Sequence, residues 1–280
     1  MDTGSHEAWG GIWRDTSSRM LYTAGTPRTL LEFWQRAYFD DLWAMAGERA
    51  SSLRWCELGA GRGTTSTYLR AAGADVTMVD LSDDGFEVCR RNHEALGLEP
   101  PRMVTSDVRE TPFEDGSFDV VFNIGLLEHF HDPGPILRET ARLLAPGGLA
   151  WQIIVPANPR RNARLARMLL RPTRALRDLA ADVRDRFRPP AEDPDAMVRT
   201  PRYPEAWWAE QSELVGGADA SCIPYNPYPT VYDIGHPMEQ RVTVPIYRRH
   251  LAKRVRAGRP AMACPAAYSV AQLLTFTRRG

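Results

Sequence analysis

The sequence predicts an α/β fold in which a mostly parallel sheet carries helices on both faces. Three observations predict it. Short apolar runs alternate with segments of helical periodicity from residue 28 to residue 155, the pattern of repeated βαβ units. One of those runs, 53–58, leads directly into the glycine-rich turn Gly59-Ala60-Gly61-Arg62-Gly63 before a helix begins. A third run, FDVVFNI at 118–124, is apolar enough to be buried on both faces, as interior strands of parallel sheets are.

The elements follow in order. Residues 28–47 place Leu30, Leu31, Trp34, Tyr38, Leu42 and Met45 at three- and four-residue intervals and close on Gly47, an amphipathic helix. After the first strand and its turn, 64–72 read as a helix stopped by Gly73, 76–79 as a strand, 85–96 as a helix and 102–105 as a strand. Residues 135–144 read as a helix, and 149–155, after Pro146-Gly147-Gly148, as a strand. Right-handed crossovers leave few ways to connect these units. Beyond residue 155 prolines cluster and the character changes. Residues 160–188 hold ten arginines against three aspartates, with Leu165, Met168, Leu169, Leu176, Leu179, Val183 and Phe187 at helical spacing and Pro172 as a break. Residues 189–204 read as a loop, 205–215 as a helix, 220–223 as a strand, 224–237 as an aromatic, turn-rich stretch, 241–256 as partly helical and basic, and 269–277 as a closing strand.

Composition narrows the function classes. The 35 basic and 35 acidic side chains cancel, so no whole-protein field favours nucleic acid. A hydrophobic content of 43% argues against global disorder. The four cysteines, Cys56, Cys89, Cys222 and Cys264, never form a CxxC pair, which excludes a zinc ribbon or a dense disulfide scaffold and suits a reducing compartment. No apolar stretch reaches the ~20 residues of a membrane span, and the N-terminal residues do not read as a secretory signal. The expectation is a soluble, cytoplasmic protein.

The glycine turn, preceded by Glu57, is the first local signal of function. Glycines let the main chain turn tightly and approach a ligand, and the following helix offers unpaired N–H groups. Asp80 ends the second strand, at the sheet edge where open α/β sheets bind ligands, and a carboxylate there can accept both hydroxyls of a ribose. A nicotinamide fingerprint would read GxGxxG, whereas Thr64 and Thr65 stand where its last glycine would fall. Glu57 would repel a pyrophosphate and suits a ligand bearing an amine. These features favour an amino-acid nucleoside over a dinucleotide.

ELGAGRG, VDLS, SDVRETPFEDGSFDVVFNIGLLEHF and LLAPGG, taken in that order over residues 50–156, resemble the successive motifs of the class I S-adenosylmethionine-dependent methyltransferases. The resemblance is closest to the small-molecule branch that includes ubiquinone-type and natural-product enzymes. It implies a Rossmann-like, seven-stranded, mostly parallel sheet whose last strand is antiparallel, and S-adenosylmethionine as cofactor. It also implies residue roles. Glu57 and Gly59, Ala60 and Gly61 would hold the methionine moiety. Asp80 would bind the ribose hydroxyls and Leu81 would pack on the adenine. Asp107 would accept from the adenine amine, and Val108 would offer a backbone N–H to the ring. Asn123 and Ile124 would line the methionine and the transferring methyl.

The loop after the fourth strand faces the same cleft by topology, and in it His129 and His131 are the candidate general bases, since histidine titrates near neutrality. An Asn/Asp-Pro-Pro-Tyr signature of nucleobase amino-group methylation would fall at 123–126, which reads Asn-Ile-Gly-Leu. The similar Pro224-Tyr225-Asn226-Pro227-Tyr228 lies far downstream and reads as a substrate-side loop. No HExxH or carboxylate cluster suggests a metal. Candidate acceptor contacts are Trp13 and Tyr22 before the first helix, and Tyr225, Tyr228 and His236 in the aromatic stretch, whose rings suit a planar or cationic acceptor.

The expected organisation is an N-terminal helical lid at 1–50, a cofactor-binding core at 51–156, an inserted helical cap at 157–204, and a C-terminal completion of the sheet with a substrate-side loop at 205–280. The expected reaction is methyl transfer to an oxygen or nitrogen of a small organic metabolite, with no nucleic-acid partner. Alternatives are a macromolecular acceptor, a membrane-held quinone or lipid, a nicotinamide oxidoreductase and a non-catalytic scaffold. The arginine-rich segment 160–188 permits three readings: a solvated charged face, an anionic membrane surface, or RNA, the last with no accompanying aromatic-plus-basic pattern.

Overall fold

A computed structural model of the chain describes residues 22–156, 202–228, 239–255 and 260–280. The arginine-rich segment, Trp13 and His236 lie outside the described residues, as does the expected cap at 157–204 apart from its last three residues. The elements are α1 (Leu30–Ala46), β1 (Arg54–Leu58), α2 (Thr64–Ala71), β2 (Asp75–Asp80), α3 (Asp83–Leu96), β3 (Arg102–Thr105), β4 (Phe118–Ile124), α4 (Gly134–Leu143), β5 (Leu144–Ile154), α5 (Glu205–Leu214), β6 (Gly217–Tyr225), α6 (Val244–Val255) and β7 (Ala271–Arg278). The seven strands form one sheet in the order β3-β2-β1-β4-β5-β7-β6. Strands β1 to β5 pair in parallel, and β7 runs antiparallel to both β5 and β6. This is the expected Rossmann-like sheet with one reversed strand.

Alternation along the strands distributes the core to two faces. Trp55, Val120, Phe122, Trp151, Ile153 and Leu273 pack with α1, Leu69 of α2 and Val244 of α6. Their neighbours Cys56, Val121, Ala150, Ile154 and Leu274 pack on the other face with α4 and Trp208 of α5. Because successive side chains of a strand point to opposite sides, both faces of the interior strands must be apolar, which is why these strands read as nearly continuous hydrophobic runs.

Two strands exceed their expected lengths by four residues or more. β5 begins at Leu144 rather than 149, because Pro146-Gly147-Gly148 bulge out of a strand that pairs with β4 on either side, Leu144 with Phe118 and Leu149 with Val120. β6 spans nine residues and carries a register shift between Ala218 and Ser221. Its polar Asp219 and Ser221 masked it in the sequence.

The first helix is a packed layer of the core. Thr29 caps it by accepting from the Glu32 backbone N–H at 3.2 Å, and Glu239 accepts from the Leu30 N–H at 3.0 Å. Its apolar stripe, Leu30, Phe33, Ala37, Tyr38 and Leu42, is buried against the sheet. Residues 1–21 of the expected lid lie outside the described residues, and one side of this helix faces the cavity described below. Asp41 is buried within it and accepts from three donors of the C-terminal region: the Tyr225 hydroxyl at 2.5 Å, the Ala261 N–H at 2.7 Å and the Met262 N–H at 3.1 Å. Beside it the Asn226 amide donates to the Tyr38 hydroxyl at 2.9 Å. Burial raises the Asp41 pKa and these donors oppose the rise.

Replacing Asp41 with alanine strands three buried donors. Each costs roughly 1–3 kcal/mol when unpaired, so Asp41→Ala is expected to lose about 3 kcal/mol or more of stability, read as a lower urea midpoint; an unchanged midpoint refutes the assignment.

Candidate functional site

A cavity of about 190 Å³ opens at the C-terminal edge of β1, β2 and β4. Its floor is the turn after β1. Gly59, Gly61 and Gly63 all have positive φ, between 51° and 65°, a region that a side chain disfavours. Sterics reinforce the choice: a Cβ at Gly63 would sit 2.4 Å from Met78 Cε. The turn is tied to the neighbouring strand by the Gly59 and Ala60 N–H groups, which both donate to the Val79 carbonyl.

Glu57 is the last but one residue of β1 and is 5% exposed, yet it lines the cavity. One carboxylate oxygen accepts from the Ser66 hydroxyl at 2.5 Å, and the Ser66 backbone N–H at the start of α2 also donates to the carboxylate. Burial pushes its pKa up to about 8, the Ser66 donors work against that rise, and the nearby Asp80 charge adds to it.

Asp80 ends β2 with its carboxylate in the cavity wall. Its oxygens accept from the Gly61 N–H and the Ser82 N–H, each at 2.8 Å, so it braces the turn while facing the cavity. Leu81, Val108 and Phe130 also line the cavity. Asp107 is placed differently. Its carboxylate is ion-paired with Arg109 at 2.6 Å and also accepts the Arg109 N–H at 2.9 Å, which holds its pKa below the usual carboxylate value, and it is not among the cavity-lining residues.

At the end of β4 Ile124 lines the cavity, whereas Asn123 is fully buried behind it with its amide donating to Gln152 of β5. The chain then enters the short 3₁₀ turn Leu127–His129. His129 lines the cavity, with Nε2 3.9 Å from Oε1 of the buried Glu128. His131 is exposed and does not reach the cavity.

The aromatic candidates are dispersed. Tyr22 lies outside the cavity, its ring 4.7 Å from that of Tyr68. Tyr225 is fully buried on Asp41, and Tyr228 is buried with its hydroxyl 2.9 Å from His250 Nδ1 and its ring edge-on to Phe33. Both are core residues whose hydroxyls find partners, the buried Asp41 for Tyr225 and the exposed His250 for Tyr228. The sequence reading had placed them on a substrate wall.

Several residues not singled out from sequence belong to the site. Gln35 of α1 reaches the cavity and accepts from the Thr65 hydroxyl at 3.2 Å. Arg62, Ser82, Leu126 and Phe130 complete the wall. Gly85 of α3 is needed because a Cβ there would lie 2.6 Å from the Gly61 carbonyl oxygen, so α3 packs directly on the turn. A glycine early in a helix was a readable sign of this close approach. Among the described residues no group of three or more His, Cys, Asp or Glu side chains could hold a metal ion, and no helix is long and apolar enough to cross a membrane.

The donor set fits S-adenosylmethionine: a buried carboxylate for an ammonium, a second carboxylate for a ribose diol, and an apolar slot of Leu81, Val108 and Phe130 for an adenine.

Comparison with known proteins agrees. Residues 56–151 match the family described as "Methyltransferase domain". The chain is 37% identical over 109 residues to the fatty-acid O-methyltransferase of Mycolicibacterium smegmatis, covering 38% of each chain. It is 31% identical over 125 residues to the ubiquinone biosynthesis O-methyltransferase of Marinobacter nauticus, covering 44% of this chain and 50% of that one. The matched stretch thus spans half or less of these relatives. A solved structure described as a SAM-dependent methyltransferase and possible histamine N-methyltransferase, from Thermotoga maritima, superposes with a TM-score of 0.56 over 98% of this chain and 100% of that one, at 12% identity; it shares the fold. Residues 56–151 of this chain are a methyltransferase domain of the class I, S-adenosylmethionine-dependent family.

Proposed function

We propose that the protein transfers a methyl group from S-adenosylmethionine to an oxygen of a small organic acceptor. The observation that carries this reading is the gathering of Glu57, Asp80, Leu81, Val108 and His129 around one cavity at the C-terminal edge of the sheet, within the stretch that matches the methyltransferase domain. Oxygen is favoured over nitrogen because the two relatives similar in sequence, at 31% and 37% identity, are named O-methyltransferases, whereas the possible N-methyltransferase from Thermotoga maritima shares the fold at 12% identity. Their names, a fatty-acid and a ubiquinone-pathway enzyme, also support an acceptor with lipid-like or quinone-like character. That acceptor class is the second reading carried forward.

The bound cofactor supplies a methyl group already activated on a sulfonium. The residues of this chain then have to hold, orient and exclude water. Glu57 holds the ammonium end. Asp80 accepts from the ribose hydroxyls while its other contacts keep the glycine turn in place. Leu81 and Val108 would hold the adenine through apolar contact, and Asp107, paired with Arg109, would accept from its amine. Ile124, backed by Asn123, forms the wall beside the methyl. His129, which lines the cavity wall with Leu126, takes the proton from an acceptor hydroxyl; His131 does not face this space.

Three measurements test the reading. Calorimetry is expected to show binding of S-adenosylhomocysteine and none of NAD; the reverse result overturns the proposal. Asp80→Ala is expected to weaken S-adenosylhomocysteine binding ten- to hundredfold, as the loss of one or two charge-assisted hydrogen bonds implies, and undiminished affinity removes Asp80 from the site. His129→Ala is expected to lower kcat toward phenolic and fatty-acid acceptors about 10²-fold or more while leaving S-adenosylhomocysteine affinity within about twofold; unchanged turnover removes His129 as the base.

A further inference from the structure

We infer that Ser66 is a positioning residue for cofactor binding, pinning one edge of the Glu57 carboxylate so that the other edge meets the ligand's ammonium as an anion. The inference rests on the cofactor reading proposed above and adds a residue to it.

The geometry points to this role because Ser66 is itself fully buried and does not line the cavity. It can act on a ligand through another residue alone. Its hydroxyl donates to Glu57 Oε2 at 2.5 Å and its N–H donates to the same carboxylate. Ser66 stands in the first turn of α2, which starts at Thr64, where backbone N–H groups lack helical partners and the helix end favours negative charge. Glu57 thus lies across the N-terminus of α2 as a carboxylate supplied from the adjacent strand. The two contacts differ in what mutation can remove: the amide is fixed by the backbone, whereas the hydroxyl is a side-chain choice. Threonine could keep that hydroxyl and alanine could not.

The hydroxyl matters because Glu57 is in a place that resists charge. Burial raises its pKa to about 8, so near neutrality the anion needs every donor it has. The groups facing it are Asp80 of β2, which adds to the rise, the neighbouring Cys56 of β1 and Cys89 of α3, whose own thiols are pushed up by burial and by the Glu57 charge, and Arg62 and His129, which line the same cavity. A proton on Glu57 removes the charge that holds an ammonium. Affinity must therefore fall on the acid side of the Glu57 titration, and loss of a donor to the anion must move that fall to higher pH. One charge-assisted hydrogen bond is on the order of a tenfold change in an equilibrium constant, or about one pH unit.

The test is calorimetric binding of S-adenosylhomocysteine between pH 6 and 9 to the full chain and its variants. Ser66→Ala is expected to shift the acid limb of the affinity profile upward by about one pH unit and to weaken binding about tenfold at pH 7. Ser66→Thr is expected to restore the original limb. In a Glu57→Gln background the alanine substitution is expected to shift nothing. If Ser66→Ala does not fold, Ser66→Cys, similar in shape and a much weaker donor, carries the same expectation. A purely structural Ser66 would weaken binding equally at every pH, and an unshifted limb overturns the inference. A wild-type chain that binds no S-adenosylhomocysteine at any pH overturns the proposed function itself, and the inference with it.

Discussion

Taking the Glu57 carboxylate out of water carries a desolvation cost, and much of the local architecture offsets it. The parallel sheet brings the ends of β1, β2 and β4 to one edge, so a residue at the end of β1 meets the start of the helix that follows. The glycine turn makes that meeting possible by reversing the chain within a few residues, and Asp80 holds the turn by accepting from Gly61. The helix start then supplies the donors that water would have supplied. Removing the turn, the brace or the helix start would each leave a buried acid with no reason to be charged.

The cavity wall is drawn from two parts of the chain. Its lining residues between Glu57 and Phe130 lie inside the stretch that matches the methyltransferase domain, whereas Gln35 of α1 lies outside it. The helix that carries Gln35 is also the one clasped through Asp41 to the C-terminal region.

Much of this was legible in the sequence, for identifiable reasons. β3 and β4 were placed at their observed limits because a buried parallel strand is a bounded apolar run. Glu57, the turn and Asp80 stood out because their chemistry is local. What escaped notice depends on tertiary placement. Pro146-Gly147-Gly148 has the composition of a turn, yet pairing with β4 resumes beyond it and makes it a bulge. Tyr225 and Tyr228 sit among prolines and asparagine like exposed loop residues, and are buried because Asp41 and His250 satisfy their hydroxyls. Gln35 and Ser66 gave no signal, since their roles arise from contacts with Thr65 and Glu57 that neither spacing nor periodicity encodes.

The clasp between Asp41 and the Tyr225, Ala261 and Met262 donors joins positions 184 to 221 residues apart. Contacts so distant along the chain are slow to form, and during synthesis from the N-terminus the helix that carries Asp41 emerges long before its partners exist. Strands β1, β4 and β5 can cover much of its apolar stripe as they emerge, but the Asp41 clasp must wait until the C-terminal region arrives. The same helix that borders the cavity is therefore among the last pieces to settle, and a ribosome-bound chain would acquire its glycine turn before its finished binding pocket.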